Sequence, residues 1–401
     1  MVSRGTACLQ GEFMTQTARL VITPVRGFRQ LSTFIRLPRR LYAGKAGYVP
    51  PLDMEQRSLL DPAKSPFFRH GKAQYFLAWR NGRAVGRISA QTDDLVRDAA
   101  PETGLTPQTG FFGALDAESP DVVAPLLEAA ADWLRSKGMT SMLGPWTLNS
   151  NGEYGTMIEG QKAAPMVMMP WHPPFLSEAI EAAGLTKKMD VLSYQMEMGP
   201  QAENAHIVPK GLSLGEGRLG ALSVRQMDAK NIERDGEILR TMYNDTWRDT
   251  WGFVPYTDDD MAGMIHEIKP ILRSEHFVLV EQNGEPAGVA LVVPNVFDVA
   301  GDLGGAPSPL GWVKLGVRLL RHEFHSARVI LLGVSKALSG TALGALLPAL
   351  LISELMKRGH VLPYRQIELG WVLETNTPMR RLIERIVPEP TKKHRVFHRS
   401  L

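Results

Sequence analysis

Two periods of apolar and polar positions run along this chain, and the order in which they follow one another occurs twice. Residues 19–25 alternate as a strand does. Residues 28–42 place apolar positions at helical spacing, with Arg29, Arg36, Arg39 and Arg40 on a basic side that is either solvated or turned to an anionic lipid or cofactor. Residues 74–79 and 84–90 flank Asn81-Gly82, a hairpin signal because both turn residues accept positive φ. A strand at 111–115, a helix at 121–137 closed by Gly138, a strand at 141–146, a helix at 174–183 and a strand at 191–198 complete the first half. The second half begins with a strand at 222–227 and helices at 231–244 and 258–272. A second hairpin, 276–281 with 286–293, turns at Asn283-Gly284. A strand at 328–334, a helix at 341–358, a strand at 366–373, a helix at 378–386 and a strand at 394–399 follow.

The repeat is one of architecture, since the residues differ between halves. It predicts two mixed α/β domains in tandem, each a twisted mixed sheet flanked by helices. The expected division is a disordered or tag-like extension at 1–16, a first domain at 17–200, a Gly-rich linker at 201–220 and a second domain at 221–401. Met14 is an alternative start.

Composition narrows the function classes. The 401 residues are 44% hydrophobic and 22% charged, enough for about two well-filled cores. A net charge of +3 without an aromatic-interleaved basic run argues against nucleic acid. The single cysteine, Cys8, gives neither a disulfide framework nor a cysteine-based metal site, and a cytoplasmic location is expected. No apolar run reaches the length of a membrane span, and the N-terminus lacks the apolar core of a signal peptide. The segment 312–325 adds another possibility. Val313, Val317, Leu320 and Phe324 recur at helical spacing opposite Lys314, Arg318, Arg321, His322 and His325. Such a helix either packs on its own domain or lies peripherally on the inner-membrane surface.

The chemistry concentrates at 328–376. A strand runs into Ser335-Lys336-Ala337-Leu338-Ser339-Gly340-Thr341-Ala342 and then a helix, an order that turns unpaired N–H groups and a helix dipole toward an anion. The spacing is neither that of a nucleotide P-loop nor that of a dinucleotide fold. On the next strand Glu368 lies beside Gly370, where a glycine leaves room for substrate and burial acts on a carboxylate, so Glu368 leads as general base; the alternative is a strand-edge ion pair.

Gly340-Thr341-Ala342 resembles half of the pyrophosphate loop of the GNAT acyl-CoA transferases; Ala337 occupies the Gln/Arg position, with Lys336 beside it. Further strings resemble a bacterial family of tandem GNAT-like proteins that includes the bacterial ceramide synthases. They are Pro50-Pro51-Leu52, Val85-Gly86-Arg87-Ile88, Asn149-Ser150-Asn151-Gly152-Glu153, Met168-Met169-Pro170-Trp171-His172-Pro173, Tyr243-Asn244-Asp245-Thr246-Trp247, Trp251-Gly252-Phe253-Val254-Pro255 and Glu368-Leu369-Gly370-Trp371. Pro294-Asn295-Val296-Phe297 departs from the family's Pro-Asp-x-Asn string.

The resemblance implies N-acylation of a long-chain amine lipid, sphinganine or 3-ketosphinganine, by acyl-CoA or an acyl carrier protein, without a metal. It makes 17–200 a degenerate copy and gives 221–401 the acyl-CoA site, with the donor along Leu332, Gly333, Val334, Lys336, Gly340, Thr341, Ala342 and Asn376 and Gly333 allowing close approach. It places the acceptor among Tyr243, Asn244, Asp245, Trp247 and Trp251, with Tyr243 and Asp245 joining Glu368 in catalysis. Trp371, His172 and Glu153 are further lining candidates; each also has a structural reading as core, satisfied histidine or turn cap. Two alternatives stand beside this one. The first is acetylation of a small amine or peptide, and the second is a non-catalytic relic that binds acyl-CoA.

Overall fold

The computed structural model describes residues 19–148, 151–198, 221–358, 362 and 364–401. The expected extension at 1–16, the linker at 201–220 and the motif residues Asn149 and Ser150 lie outside the described residues.

The first half runs β1 (Val21–Pro24), α1 (Gly27–Leu41), α2 (Asp53–Leu60), β2 (Gly71–Arg80), β3 (Arg83–Asp93), β4 (Thr109–Ala117), α3 (Val123–Ser136), β5 (Ser141–Gly144), β6 (Thr156–Glu159), α4 (Phe175–Ala182) and β7 (Thr186–Glu197). The second runs β8 (Leu222–Arg225), α5 (Ile232–Thr246), α6 (Asp258–Ile268), β9 (Phe277–Gln282), β10 (Glu285–Pro294), α7 (Val296–Ala300), α8 (Pro309–Arg321), β11 (Ser326–Val334), α9 (Ala342–Lys357), β12 (Gln366–Leu373), α10 (Thr377–Ile383) and β13 (Lys392–Ser400). Both hairpins turn as expected, with Asn81 and Asn283 at φ 51 and 53 ahead of Gly82 and Gly284. Thr257 and Asp260 form a reciprocal capping box at the start of α6. The helix expected across 312–325 ends at Arg321, because His322 takes the left-handed conformation at φ 53. Phe324 is therefore buried in the core, away from the stripe of Val313, Val317 and Leu320.

Among the described residues thirteen strands form one mixed sheet, β1-β2-β3-β4-β5-β13-β7-β12-β11-β10-β9-β8, with β6 paired to β13. The two halves trade strands at its centre. β13, from the chain's end, lies antiparallel between β5 and β7. β7, from the first half, lies antiparallel against β12. Helix α3 covers the sheet with Leu126, Leu127, Ala130 and Leu134 fully buried against β2–β5, and α9 covers β9–β11 with Leu343, Leu347, Leu350 and Leu351.

Candidate active site

Strands β11 and β12 run parallel but pair only from Ser326↔Gln366 to Val329↔Leu369. Beyond Val329 they part. β11 continues along β10 as far as Val334, while β12 continues along β7 with a bulge between Leu369 and Val372. Alternate N–H groups of a strand face opposite neighbours, so β11 beyond Val329 turns alternate amides into the gap. A cavity of about 310 Å³ fills it, lined by Ile330, Leu331 and Leu332 on one side, Gly370 and Trp371 on the other, with Tyr243, Trp247 and Trp251 closing one end. The corresponding fork in the first half is shut. β4 and β5 pair over three residues, and the Trp146 indole then stacks on Phe111, with ring centroids 4.8 Å apart. The Trp146 carbonyl also lies 1.9 Å from where a Cβ on Gly113 would stand, so only glycine fits there.

Arg328 occupies the apex of the open fork. Its Nε donates to the Gly370 carbonyl at 3.1 Å, its Nη1 to the Val167 and Met168 carbonyls at 3.0 and 2.9 Å, and its guanidinium lies 4.8 Å from the Trp371 ring centroid. Burial lowers its pKa to about 10, with Glu368 acting in the opposite direction, so it is charged at neutral pH. It ties both prongs to the 167–168 loop. Above the fork the 336–341 turn enters α9. Thr341 caps that helix by accepting the Gly344 N–H at 3.0 Å, and Gly340 takes φ 76. Ala342 and Leu343 stand in the first turn, where a helix supplies no acceptor for its own N–H groups.

A second cavity, of about 770 Å³, adjoins the first. Asn151, Gly152, Met168, Tyr256 and Met264 line both, so the two meet there. Leu52, Phe67, Ile268, Leu315 and Leu319 give the second cavity an apolar wall, and Glu55, Glu153 and Glu267 give it an acidic one. Burial raises the Glu153 pKa; Arg87 and the Thr147 hydroxyl, 2.9 Å from Oε2, offset part of that, and Asp116 adds to it. Glu55 is pushed up to about 7 by burial and by Glu267 and Glu153, and burial raises Glu267 as well. His172 lines the same cavity. Burial lowers it to about 4, and its Nδ1 accepts the Met157 N–H at 3.1 Å. The neutral ring therefore carries its proton on Nε2 and is a donor there. Among the described residues no group of three or more His, Cys, Asp or Glu side chains is placed to hold a metal ion.

No family model matches the chain. A bacterial ceramide synthase from Caulobacter vibrioides (strain NA1000 / CB15N) is 35% identical over 392 residues, 97% of this chain and 100% of the relative. The chain belongs to the tandem GNAT-like acyltransferase family that includes this protein. Membership makes it an acyl-CoA-dependent N-acyltransferase. Protein YghO of Escherichia coli (strain K12) is 33% identical over 92% of this chain and 93% of its own length. The fold is shared with a tandem GNAT protein from the clavulanic acid biosynthesis pathway, at TM-score 0.55 and 13% identity over 95% of this chain and 98% of that one. It is shared as well with a GCN5-related N-acetyltransferase from Sphaerobacter thermophilus, at TM-score 0.50 and 12% identity, covering 95% of each chain.

In this N-acyltransferase, Leu332, Tyr243, Trp247, Trp251, Trp371 and Asn376 line the fork cavity. The Tyr243 hydroxyl donates to Asn151 Oδ1 at 2.6 Å, and burial raises its pKa well above the ordinary value, so it is protonated. His172 and Glu153 line the second cavity. Asn376 also caps α10 by accepting the Met379 N–H at 3.2 Å.

Several expected residues lie elsewhere. Asn244 spends both amide atoms on the Tyr256 backbone, each at 2.9 Å, and so fixes the loop after α5. Asp245 accepts the Lys336 N–H at 3.0 Å, while the Lys336 ammonium pairs with Asp249, so both carboxylates hold the turn above the fork in place. Neither Gly333 nor Val334 lines the cavity. The Trp247 indole fills the side-chain space of Gly333, its Cη2 2.3 Å from an added Cβ, and the Val334 carbonyl accepts the Thr246 hydroxyl at 3.0 Å.

Glu368 is fully buried, pairs with Lys392 Nζ at 2.7 Å and lines neither cavity. The space expected beside it at Gly370 is taken by Ser193 of β7, 2.6 Å from an added Cβ. Strict alternation would put Ile367, Leu369, Trp371 and Leu373 on one face of β12, and the bulge breaks it. Leu369 and Val372 pack in one cluster, Trp371 and Leu373 in another. Sequence reading missed Arg328, Lys392, Glu55 and Glu267. The first two carried a faint signal, as charges inside or opening apolar strands.

Proposed function

We propose that the chain transfers a fatty acyl group from acyl-CoA to the amine of a sphingoid base, sphinganine or its 3-keto form. The observation that carries this reading is the second cavity. It joins a long apolar wall to Glu55 and Glu153, whose desolvation favours a cationic partner, with the exposed Glu267 beside them, and it opens onto the fork at Asn151-Gly152. A long-chain ammonium matches both walls. A small polar amine would leave the apolar wall unfilled, and a relic would have no use for an acidic wall beside an open fork. The curated relative named for ceramide synthesis supports the same acceptor class.

The chemistry divides among this chain's own groups. The donor's pantetheine lies along the free amides of β11, and its diphosphate lies against the first turn of α9, where Gly340, Thr341 and Ala342 bring backbone N–H groups and the helix dipole together. Glu153 takes a proton from the ammonium, and the freed amine attacks the thioester carbonyl. Amides of β11 hold the developing oxyanion. The C–N bond forms, the C–S bond breaks, the protonated Tyr243 hydroxyl supplies the thiolate with its proton, and the Tyr243 oxygen takes up the second proton that the new amide nitrogen gives up, while Glu153 releases the first to solvent. Glu368 acts through Lys392 as a positioning residue. Lys392 opens β13 and lines the acceptor cavity.

The test is product analysis by mass spectrometry after incubation with palmitoyl-CoA and sphinganine or 3-ketosphinganine. The expected product is the N-palmitoyl amide with one CoA released per amide. Acetylation of a short polar amine, with no long-chain amide, would replace this reading with the small-amine alternative.

A further inference from the structure

Helix α8 is amphipathic the wrong way round for a helix packed on its own domain. Leu310, Val313, Val317 and Leu320, spaced three, four and three residues apart, are 81, 63, 40 and 89% exposed and form one outward stripe. Trp312 borders the stripe at 41%. The polar side is used: Lys314 Nζ and Arg318 Nη1 reach Asp302 at 2.7 and 2.6 Å, and Arg318 also donates to the Val299 carbonyl at 2.7 Å. Arg318 is thus the helix's anchor, and the apolar stripe is what the helix presents between Lys314 and Arg321.

We infer that this stripe is the protein's docking surface for an anionic lipid bilayer, which it engages in the plane of the headgroups. Two observations select that occupant. The first is charge. Lys314, Arg318 and Arg321 flank the stripe against Asp302 and Glu323, one cation in excess, and Lys314 and Arg321 keep half or more of their side-chain surface exposed. Apolar residues bordered by lysine and arginine match an interface in which acyl chains lie below anionic headgroups. The second is continuity. The inner side of the same helix, through Trp312, Leu315, Gly316 and Leu319, walls the acceptor cavity, and Met54, 62% exposed, lines that cavity too. A bilayer against α8 therefore adjoins the cavity, and an amine with a long chain could pass from lipid into it without crossing water. At thirteen residues α8 is about 20 Å long, and among the described residues no helix is long and apolar enough to cross a membrane, so the contact is interfacial. The continuity argument rests on the proposed acceptor; the stripe and its flanking charges do not.

The test is flotation of the full-length chain with vesicles of phosphatidylcholine alone and with about a third phosphatidylglycerol. A variant carrying Leu310→Ser and Leu320→Ser is run beside it, together with a single Val317→Asp variant. Those residues touch neither cavity, so thermal unfolding and acylation of a detergent-dispersed amine should be unchanged in both variants. The parent chain should float with the anionic vesicles, at least ten-fold more than with neutral ones, and both variants should lose at least ten-fold of that binding. Acylation of an amine embedded in the vesicles should fall with it. Failure of the parent to float, equal flotation with neutral vesicles, or undiminished flotation of both variants would each overturn the inference. So would a dimer of the parent that the variants dissociate, which would make the stripe an interface between copies. If the chain floats as expected but acylates no long-chain amine, the docking surface stands and the proposed function fails.

Discussion

Glu153 is a carboxylate that burial holds above the ordinary carboxylate range while a cavity keeps it within reach of a ligand. Glu153→Gln should lower kcat by about 10²–10⁴-fold, the size of a lost proton-transfer group, with a smaller change in KM for the donor. The rising acid limb of the kcat/KM profile of the parent should lie above the usual glutamate pKa and should vanish in the variant. Glu368 illustrates the opposite outcome. Its burial was legible in the sequence as a carboxylate in an apolar strand. Its partner was not, because Lys392 reaches it from β13, 24 residues further along the chain. Lys392→Met leaves that carboxylate buried without its cation and should cost about 3–5 kcal/mol in chemical denaturation.

At the scale of elements, helix and strand periods were readable because each face has one environment over several turns or pleats. Departures came where one local feature switched the face. His322 ended α8 ahead of Phe324, and the bulge in β12 put Trp371 in a different cluster from Leu369, with which strict alternation would pair it. Gly333 is the third case. As an isolated glycine in a strand it was readable as a site of close approach, but whether ligand or side chain approaches depends on where α5 ends, and α5 delivers Trp247. Gly333→Ala should therefore cost about 1–3 kcal/mol through overpacking. Trp247→Leu in the same chain should recover part of that loss, measured as a double-mutant cycle, whereas a merely strained strand would show additive losses.

The whole molecule is held together by exchanged strands and by a charged clamp. Because β13 completes the first half and β7 completes the second, 19–198 and 221–401 expressed apart should each lack a cooperative thermal transition, and their co-expression should restore it. The clamp is His70, whose Nδ1 meets Asp93 of β3 at 2.9 Å and whose Nε2 meets Asp260 of α6 at 3.3 Å. Burial lowers its pKa, but the two carboxylates outweigh burial and push it up to about 9. A histidine raised on folding stabilises fully below its unfolded value near 6.5 and loses that contribution as pH climbs through about 9. Denaturation midpoints should fall across that window, and His70→Asn should flatten the decline.

The sequence by itself determined the two-fold order of elements, both hairpins, the turn ahead of α9 and the aromatic group after α5, because each depends on residues within a few turns of one another. Only the tertiary structure decided how the first fork is shut, since Trp146 stacks on Phe111 across it while nothing among the described residues fills the other. It also decided that three glutamates from α2, α6 and the 151–155 loop share one cavity, and that the apolar side of α8 faces outward. Those outcomes depend on which distant segments pack together, and a local pattern carries no record of the partner across the sheet.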